Sequence, residues 1–376
     1  MKANASFTKR DLPALTGLRF FAAIAIVLHH MRGTFGFPND VLTQVPLGNG
    51  VSFFYVLSGF ILTYVYHDAG GSTARGKFLL ARFARVWPLH LVTFVLICLV
   101  ISPVSQVGTE DGLLAAFLNL TLLHAWMPDY RYFFSFNSVS WSLSVEAFFY
   151  LIFPLVLLRP ARWLMVSAVV VISMMTLATW LGVGPYTPGD SSPSITSMMY
   201  INPATRSFEF VLGVVTAVIW LRIGHRCAGA APLLQAAAVA LVIASWSAVP
   251  EVASRVTNLA AREWLYHGGL TCMSSAFLIF SFAQQDGLAR AFSFKPLVYL
   301  GKISFALYLV HQIPIHAYNL GIPPFDQLTW PVYLLAVLAA SAALHHLVEN
   351  PARLLILDAS RRLSQRGRRD PARPTA

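Results

Sequence analysis

Charge is scarce in this sequence. Charged residues fill 11% of its 376 positions, less than half the roughly 25% of an ordinary soluble domain. So few charges cannot cover a water-facing surface, which excludes a soluble globular enzyme and a disordered chain. Cysteine is scarcer still. Cys98, Cys227 and Cys272 are scattered and odd in number, so a disulfide-stapled secreted domain is excluded as well. They read as small apolar packing residues. No Asp, His or Cys cluster has metal-ligand spacing, so the sequence calls for no metal. There is no repeat that would divide the chain into related halves. A cleavable leader is not indicated either. Lys2, Lys9 and Arg10 precede the apolar run 20–28, but that run ends in His29-His30-Met31-Arg32 with no small-x-small site. It reads as a retained first span.

What the chain has instead is apolar length. Hydrophobic residues make up 56% of it, and its mean hydropathy is +0.62. Runs of spanning length lie near 15–32, 50–66, 86–102, 140–158, 163–182, 206–222, 232–249, 263–283, 297–318 and 330–348. The backbone must satisfy itself in lipid, so each is expected to be a helix. The fold class is all-α and polytopic, with about ten transmembrane helices. An eleventh run, 112–126, is shorter and carries Asn119 and His124. Charge bias decides whether it crosses. Lys2, Lys9 and Arg10 place the N-terminus in the cytoplasm, and Arg75, Lys77, Arg82 and Arg85 mark the second loop as cytoplasmic. If 112–126 does not cross, Arg159, Arg162, Arg222, Arg226, Arg290 and Lys295 also fall inside, as does the tail with Arg353, Arg361, Arg362, Arg366, Arg368, Arg369 and Arg373. The segment 112–126 is therefore predicted to be a half-span or re-entrant helix, with both termini cytoplasmic. Arg131, Arg255 and Arg262 then fall outside. The membrane domain covers 1–357, and the basic stretch 358–376 is predicted to be a disordered tail. The net charge of +11 is a topology signal, not a nucleic-acid signal.

Ionisable groups at membrane depth are costly and point to function. Arg19 and His30 are eleven residues apart, so they share one face and lie roughly 16 Å apart along the axis. His29 points roughly 100° away. Glu146 lies one to two turns inside the segment SWSLSVEAFFYLIFP, and Ser304, Tyr308 and His311 form a stripe on LGKISFALYLVHQIP. His30 and His311 are predicted at similar depth, about 20 Å from the inner edge, with Glu146 on the same outer side. Two imidazoles and a carboxylate at one level suit proton transfer; a helix-locking hydrogen-bonded cluster is the alternative. Arg82 and Arg85, three apart, match phosphate geometry; the alternative is a topological anchor. Arg206 and Glu209 are predicted to pair at i, i+3, with a minor allowance for acceptor contact. Glu349, before Asn350-Pro351, is predicted to stop the last helix and pair with an arginine.

These residues carry a resemblance to the acyltransferase-3 family of integral-membrane acyltransferases. LTGLRFFAAIAIVLHH resembles the family's first-span motif of Arg, ten residues, then His, which selects Arg19 and His30. GVSFFYVLSGFIL resembles its second span. FLLARFARVWP resembles its Arg-x-x-Arg motif at Arg82 and Arg85. SWSLSVEAFFYLIFP resembles the segment with Trp141, Ser142, Glu146 and Tyr150. ISFALYLVH and HLVENP resemble its C-terminal segments. Thr16, Ser52 and Ala147 stand where the family often has carboxylates. The resemblance covers nearly the whole chain and implies a single membrane module without an appended esterase-like domain. It also implies a multi-pass protein of the bacterial inner membrane that moves an acyl group, most often acetyl, from cytoplasmic acyl-CoA to a hydroxyl of a saccharide or lipid-linked saccharide. Acyl-CoA is then a co-substrate, no cofactor stays bound, and nucleic acid is not a partner. On that basis His30 is base or acyl carrier, Glu146 orients it, and His311 is a second proton carrier. Arg19, Arg82 and Arg85 bind the donor. Trp141, Ser142, Tyr150, Arg206, Glu209, Ser304 and Tyr308 support the site or the acceptor. A proton-coupled transporter or flippase of lipid-linked saccharides, or acylation of a small metabolite such as a macrolide, are the competing readings.

Overall fold

Lipid offers amide groups no water, so the apolar runs fold as helices; among the described residues there is no strand. The computed structural model describes residues 11–40, 43–67, 72–101 and 110–369. Lys2, Lys9, Arg10 and Arg373, used above for topology, lie outside them. The main helices are α1 (Pro13–His30), α2 (Gly50–Tyr66), α3 (Ser72–Ile101), α4 (Glu110–Leu120), α5 (Trp141–Val156), α6 (Pro160–Trp180) and α7 (Pro203–Cys227). They are followed by α8 (Ala231–Ser254), α9 (Leu259–Trp264), α10 (Cys272–Phe282), α11 (Lys295–Val310), α12 (Gln312–Asn319), α13 (Trp330–Leu344) and α14 (Asn350–Arg369).

Nine stretches of the described residues are long and apolar enough to cross a bilayer. The longest, Ser197–Ser254, contains both α7 and α8. Arg206 at the start of α7 bonds His267 O near the start of the stretch Leu259–Phe282. Gln235 at the start of α8 instead bonds Ser281 O and Asp286 O at the far end of α10, and Ser245 meets Ser274 midway. Thus α7 and α8 run in opposite directions and cross separately. Among the described residues the candidate spans therefore number ten, as the hydropathy pattern predicts.

The 112–126 segment does not cross. Helix α4 has 11 residues, about 16 Å of rise, against a hydrocarbon core of about 30 Å. Its lower end is tied to α3, where Trp87 donates to Leu120 O and the His90 ring meets Asn119 O. The Asn119 amide then donates to Ser135 O and to the Ser135 and Ser140 hydroxyls. The chain climbs back until Arg131 meets Asp111 at 3.3 Å, beside the start of α4. It enters and leaves on one face. Arg131 is also bonded to Asp129 at 2.7 Å, and Arg255 to Glu251 at 2.6 Å. Two of the three arginines predicted to lie outside are therefore neutralised by carboxylates.

Close backbone approach sets the register of the central helices. A Cβ on Gly301 would strike Thr16 O, and one on Gly17 would strike Phe292 O. Phe292 lies just before α11, so the α1 and α11 backbones touch near their starts, which only small residues allow, and since His30 meets His311 at the other end the two helices run parallel. The backbones of α2 and α7 also touch, through Gly59 against Phe210 O and Gly213 against Val56 O.

Two expectations at the C-terminus are corrected. The chain does not become disordered near 358: α14 continues to Arg369, and residues 370–376 lie outside the described ones. Pro351 sits in its first turn, where a missing N–H breaks no bond. Arginine is a good helix former, and Arg361 pairs with Asp358 at 3.5 Å. Nor does Glu349 end the helix or pair with an arginine. A π-turn, His345–Glu349, carries the chain from α13 into α14, and Glu349 bonds His345 at 2.8 Å.

Replacing Gly213 with leucine should drive α2 and α7 apart and lower stability by about 1–3 kcal/mol or more. Thermal unfolding in detergent checks this, with Gly229→Leu as control because nothing lies within 4 Å of its Cβ position. An unchanged Tm for Gly213→Leu would contradict the backbone contact.

Candidate active site

Two cavities meet at the centre of the bundle. The first opens toward the face where α1 begins and measures about 220 Å³. Arg19 comes to it from α1, Arg82 and Arg85 from α3, Glu146 and Tyr150 from α5, and Ser304 and Tyr308 from α11. The i, i+3 and i, i+4 spacings put each pair on one helix face. Glu146 accepts a hydrogen bond from Ser58 on α2 at 3.3 Å. Among the described residues, Arg19, Arg82 and Arg85 form no salt bridge. Three guanidiniums thus converge on one small space without enough carboxylate to neutralise them, which suits a polyanion.

The second cavity opens toward the opposite face and measures about 840 Å³. Its lining mixes aromatic rings (Tyr130, Trp141, Tyr186) with polar groups (Asp111, Arg131, Gln312, His316), and His30 stands in its wall. His30 Nδ1 lies 3.0 Å from His311 Nε2, with the rings stacked at 5.1 Å between centroids. His311 Nδ1 lies 2.7 Å from Tyr308 O. A carbonyl can only accept, so His311 carries its proton on Nδ1 and offers a lone pair at Nε2. His30 must then donate from Nδ1. Its Nε2 is left with a free lone pair, the form a general base requires. His29 packs over Gly48 instead.

A thin septum separates the cavities. The Tyr308 phenol lies 2.8 Å from Ser142 Oγ and 3.0 Å from Val139 O. Ser142 and Tyr308 line the first cavity, while Val139 and Trp141 line the second. Glu146 is therefore not where the sequence suggests. It stands with the arginines and not beside His30. The cause is the re-entrant loop: Ser144 already donates to Leu122 O, at the bottom of that loop, at 2.6 Å. Helix α5 starts deep, and Glu146 lies below the septum.

Arg206 and Glu209 pair as predicted, at 2.9 Å, with both side chains 1% exposed. Neither residue lines the cavities described above. Arg206 also donates to His267 O at 2.7 Å and to Ser52 Oγ at 3.0 Å, between the rings of Tyr55 and Tyr200. In this structure the pair forms a helix lock. It clamps the π-turn Leu265–Gly269, where Gly268 adopts φ +139° and a Cβ would meet Ser52 and Glu209. Ser52, which stands where the family often has a carboxylate, belongs to this lock. Sequence reasoning also missed Ser58, Gln312 and His316. The last two sit one and five places beyond His311, so the pattern i, i+5 was visible but crosses the break between α11 and α12.

With this geometry in place, comparison with known proteins is informative. The family model described as "Acyltransferase domain" matches residues 12–346. Acyltransferase MdmB of Streptomyces mycarofaciens is 32% identical over 92% of this chain and 92% of its own length. Peptidoglycan O-acetyltransferase OatA of Listeria monocytogenes is 26% identical over 91% of this chain, and a putative peptidoglycan O-acetyltransferase, YrhL, of Bacillus subtilis is 26% identical over 92%. The chain spans 55% of the length of these two peptidoglycan relatives. No solved structure matches. The chain belongs to the acyltransferase-3 family and is a multi-pass membrane enzyme that transfers acyl groups, which sets the transporter reading aside.

Breaking the buried pair tests the lock. Arg206→Met leaves Glu209 charged without its partner, and should destabilise the protein by about 3–5 kcal/mol. The double change Arg206→Met with Glu209→Met should be milder. Thermal unfolding of both in detergent decides; equal losses would show that the pairing itself is unimportant.

Proposed function

We propose that this enzyme moves an acetyl group from cytoplasmic acetyl-CoA to a hydroxyl of a saccharide held in the larger cavity, with His30 as general base. The hydrogen-bond chain Tyr308 O, His311, His30 carries this reading, because it leaves His30 Nε2 bare beside that cavity. The donor's phosphates lie at Arg82 and Arg85, and Arg19 draws the donor inward. The arm of CoA beyond its diphosphate is long and slender, branched only at the gem-dimethyl and hydroxyl carbons next to the diphosphate, so its unbranched thioester end can thread past Tyr308 toward His30. There His30 Nε2 takes the proton of the acceptor hydroxyl as the oxygen attacks the thioester carbonyl. The C–S bond breaks, and the departing thiolate regains a proton from the imidazolium.

Charge placement supports putting the arginine cavity on the cytoplasmic side of a bacterial inner membrane, with both termini there. Arg82 and Arg85 share that face with Arg75, Lys77, Arg159, Arg162, Arg222, Arg226, Arg290 and Lys295, the excess of Lys and Arg that the positive-inside rule assigns to the cytoplasmic side. The acceptor cavity combines flat rings with hydrogen-bonding groups, which suits a sugar with its apolar face and hydroxyl rim. The names of the Listeria and Bacillus relatives favour an envelope saccharide, presented on a lipid carrier or in a polymer.

The test uses membranes, radiolabelled acetyl-CoA and extracted lipid-linked saccharide. His30→Ala should lose about 10²-fold or more in transfer rate while still binding CoA. His311→Ala should lose less, since His30 keeps its ring but not its fixed tautomer. Normal transfer by His30→Ala would overturn the mechanism. Wild type that transfers no label and releases no CoA would overturn the reaction.

A further inference from the structure

The cavity arginines are not the last of the series. Helix α14 packs along α3 and brings Arg353 within electrostatic reach of Arg85 and Arg82. Arg353 is exposed, whereas Arg82 and Arg85 are half-buried in the cavity wall. Among the described residues none of the three forms a salt bridge, and Arg82 Nε is buried without a partner. Like charges do not gather in this way unless something else holds them or an anion joins them.

What holds Arg353 is visible. His345 Nδ1 donates to Glu349 Oε2 at 2.8 Å, and the Asn350 amide donates to His345 Nε2 at 2.9 Å. His345 and Glu349 are 8% and 5% exposed. These bonds fix the π-turn from which α14 starts. Arg353 follows Glu349 by four residues and so lies on the same helix face, turned toward α3.

We propose that Arg353 is a third phosphate-binding residue of the donor mouth and binds the 3′-phosphate of CoA. The inference rests on the acyl-CoA reading above. It follows from the order of the positive groups: Arg19 is deepest, Arg82 and Arg85 come next, and Arg353 is outermost. In CoA the thioester, the diphosphate and the 3′-phosphate follow in the same order. The site then selects free acyl-CoA over an acyl group on a phosphopantetheinyl carrier protein, which has no 3′-phosphate. The His345–Glu349–Asn350 bonds position Arg353 and touch no substrate.

The experiment measures binding of CoA and of 3′-dephospho-CoA to the purified full-length chain in detergent. Wild type should bind CoA about tenfold or more tightly than the dephospho form, the value of one charge-assisted hydrogen-bonded contact. Arg353→Gln should remove that preference and leave dephospho-CoA binding unchanged; Arg353→Lys should keep part of it. In the transfer assay Arg353→Gln should raise KM for acetyl-CoA with little change in kcat. An unchanged preference in Arg353→Gln overturns the assignment. If, in addition, the variant loses association with phosphatidylglycerol vesicles, the phosphate that Arg353 meets is a lipid headgroup, and the assignment fails. Wild type that binds CoA and dephospho-CoA equally well overturns this inference alone. Wild type that binds neither overturns the donor reading with it.

Discussion

The closeness of α1 and α11 governs the centre of this protein. Their backbones touch at Gly301 and Thr16, and Gly17 of α1 meets Phe292 O just before α11 begins. Two parallel helices joined that tightly cannot slide past each other without a clash. Near their far ends this fixed register leaves His30 and His311 within hydrogen-bonding distance. An imidazole pair at membrane depth is expensive unless both rings are satisfied. Here the Tyr308 carbonyl supplies the terminal acceptor, and it is available because α11 ends within the next two residues. Glycine packing, helix termination and tautomer choice are consequences of one arrangement.

The polar groups that serve as structure are kept apart from those that serve chemistry. The Arg206–Glu209 pair is closed on itself through Ser52 and the His267 carbonyl. Asn119, Ser135 and Ser140 close the re-entrant loop in the same manner. Around the first cavity the opposite holds. Three guanidiniums line it with no salt bridge among the described residues, and Glu146 is bonded to a serine. In lipid, where unpaired groups are costly, such an incomplete set is the physical mark of a ligand site.

Much of this was legible in the sequence, and the rest had identifiable reasons not to be. Hydropathy gave the ten crossings, because helix length and bilayer thickness are matched. Charge bias gave the failure of 112–126 to cross, because arginines are placed by side. The i, i+3 and i, i+11 spacings put Arg82 beside Arg85, and His30 above Arg19. Depth was read less well. Hydropathy sets Glu146 too high because it gives no sign that the loop before α5 dips inward and returns. Composition alone points to a disordered tail, although arginine-rich stretches form helices readily once a preceding helix nucleates them. The bond from His345 to Glu349 was hidden for a similar reason, since the π-turn that carries it has no sequence signature of its own.

Tyr308 occupies an unusual place in this design. Its carbonyl holds the proton of His311, and its phenol closes the wall between the two cavities. These are opposite ends of one residue, with different freedoms. The carbonyl belongs to the helix and moves only if α11 moves, while the phenol is hung on two single bonds. A change at the ring therefore alters the wall between the cavities while leaving in place the carbonyl that sets the tautomer of His311 and, through it, of His30. The barrier and the protonation pattern are set by separable parts of one residue.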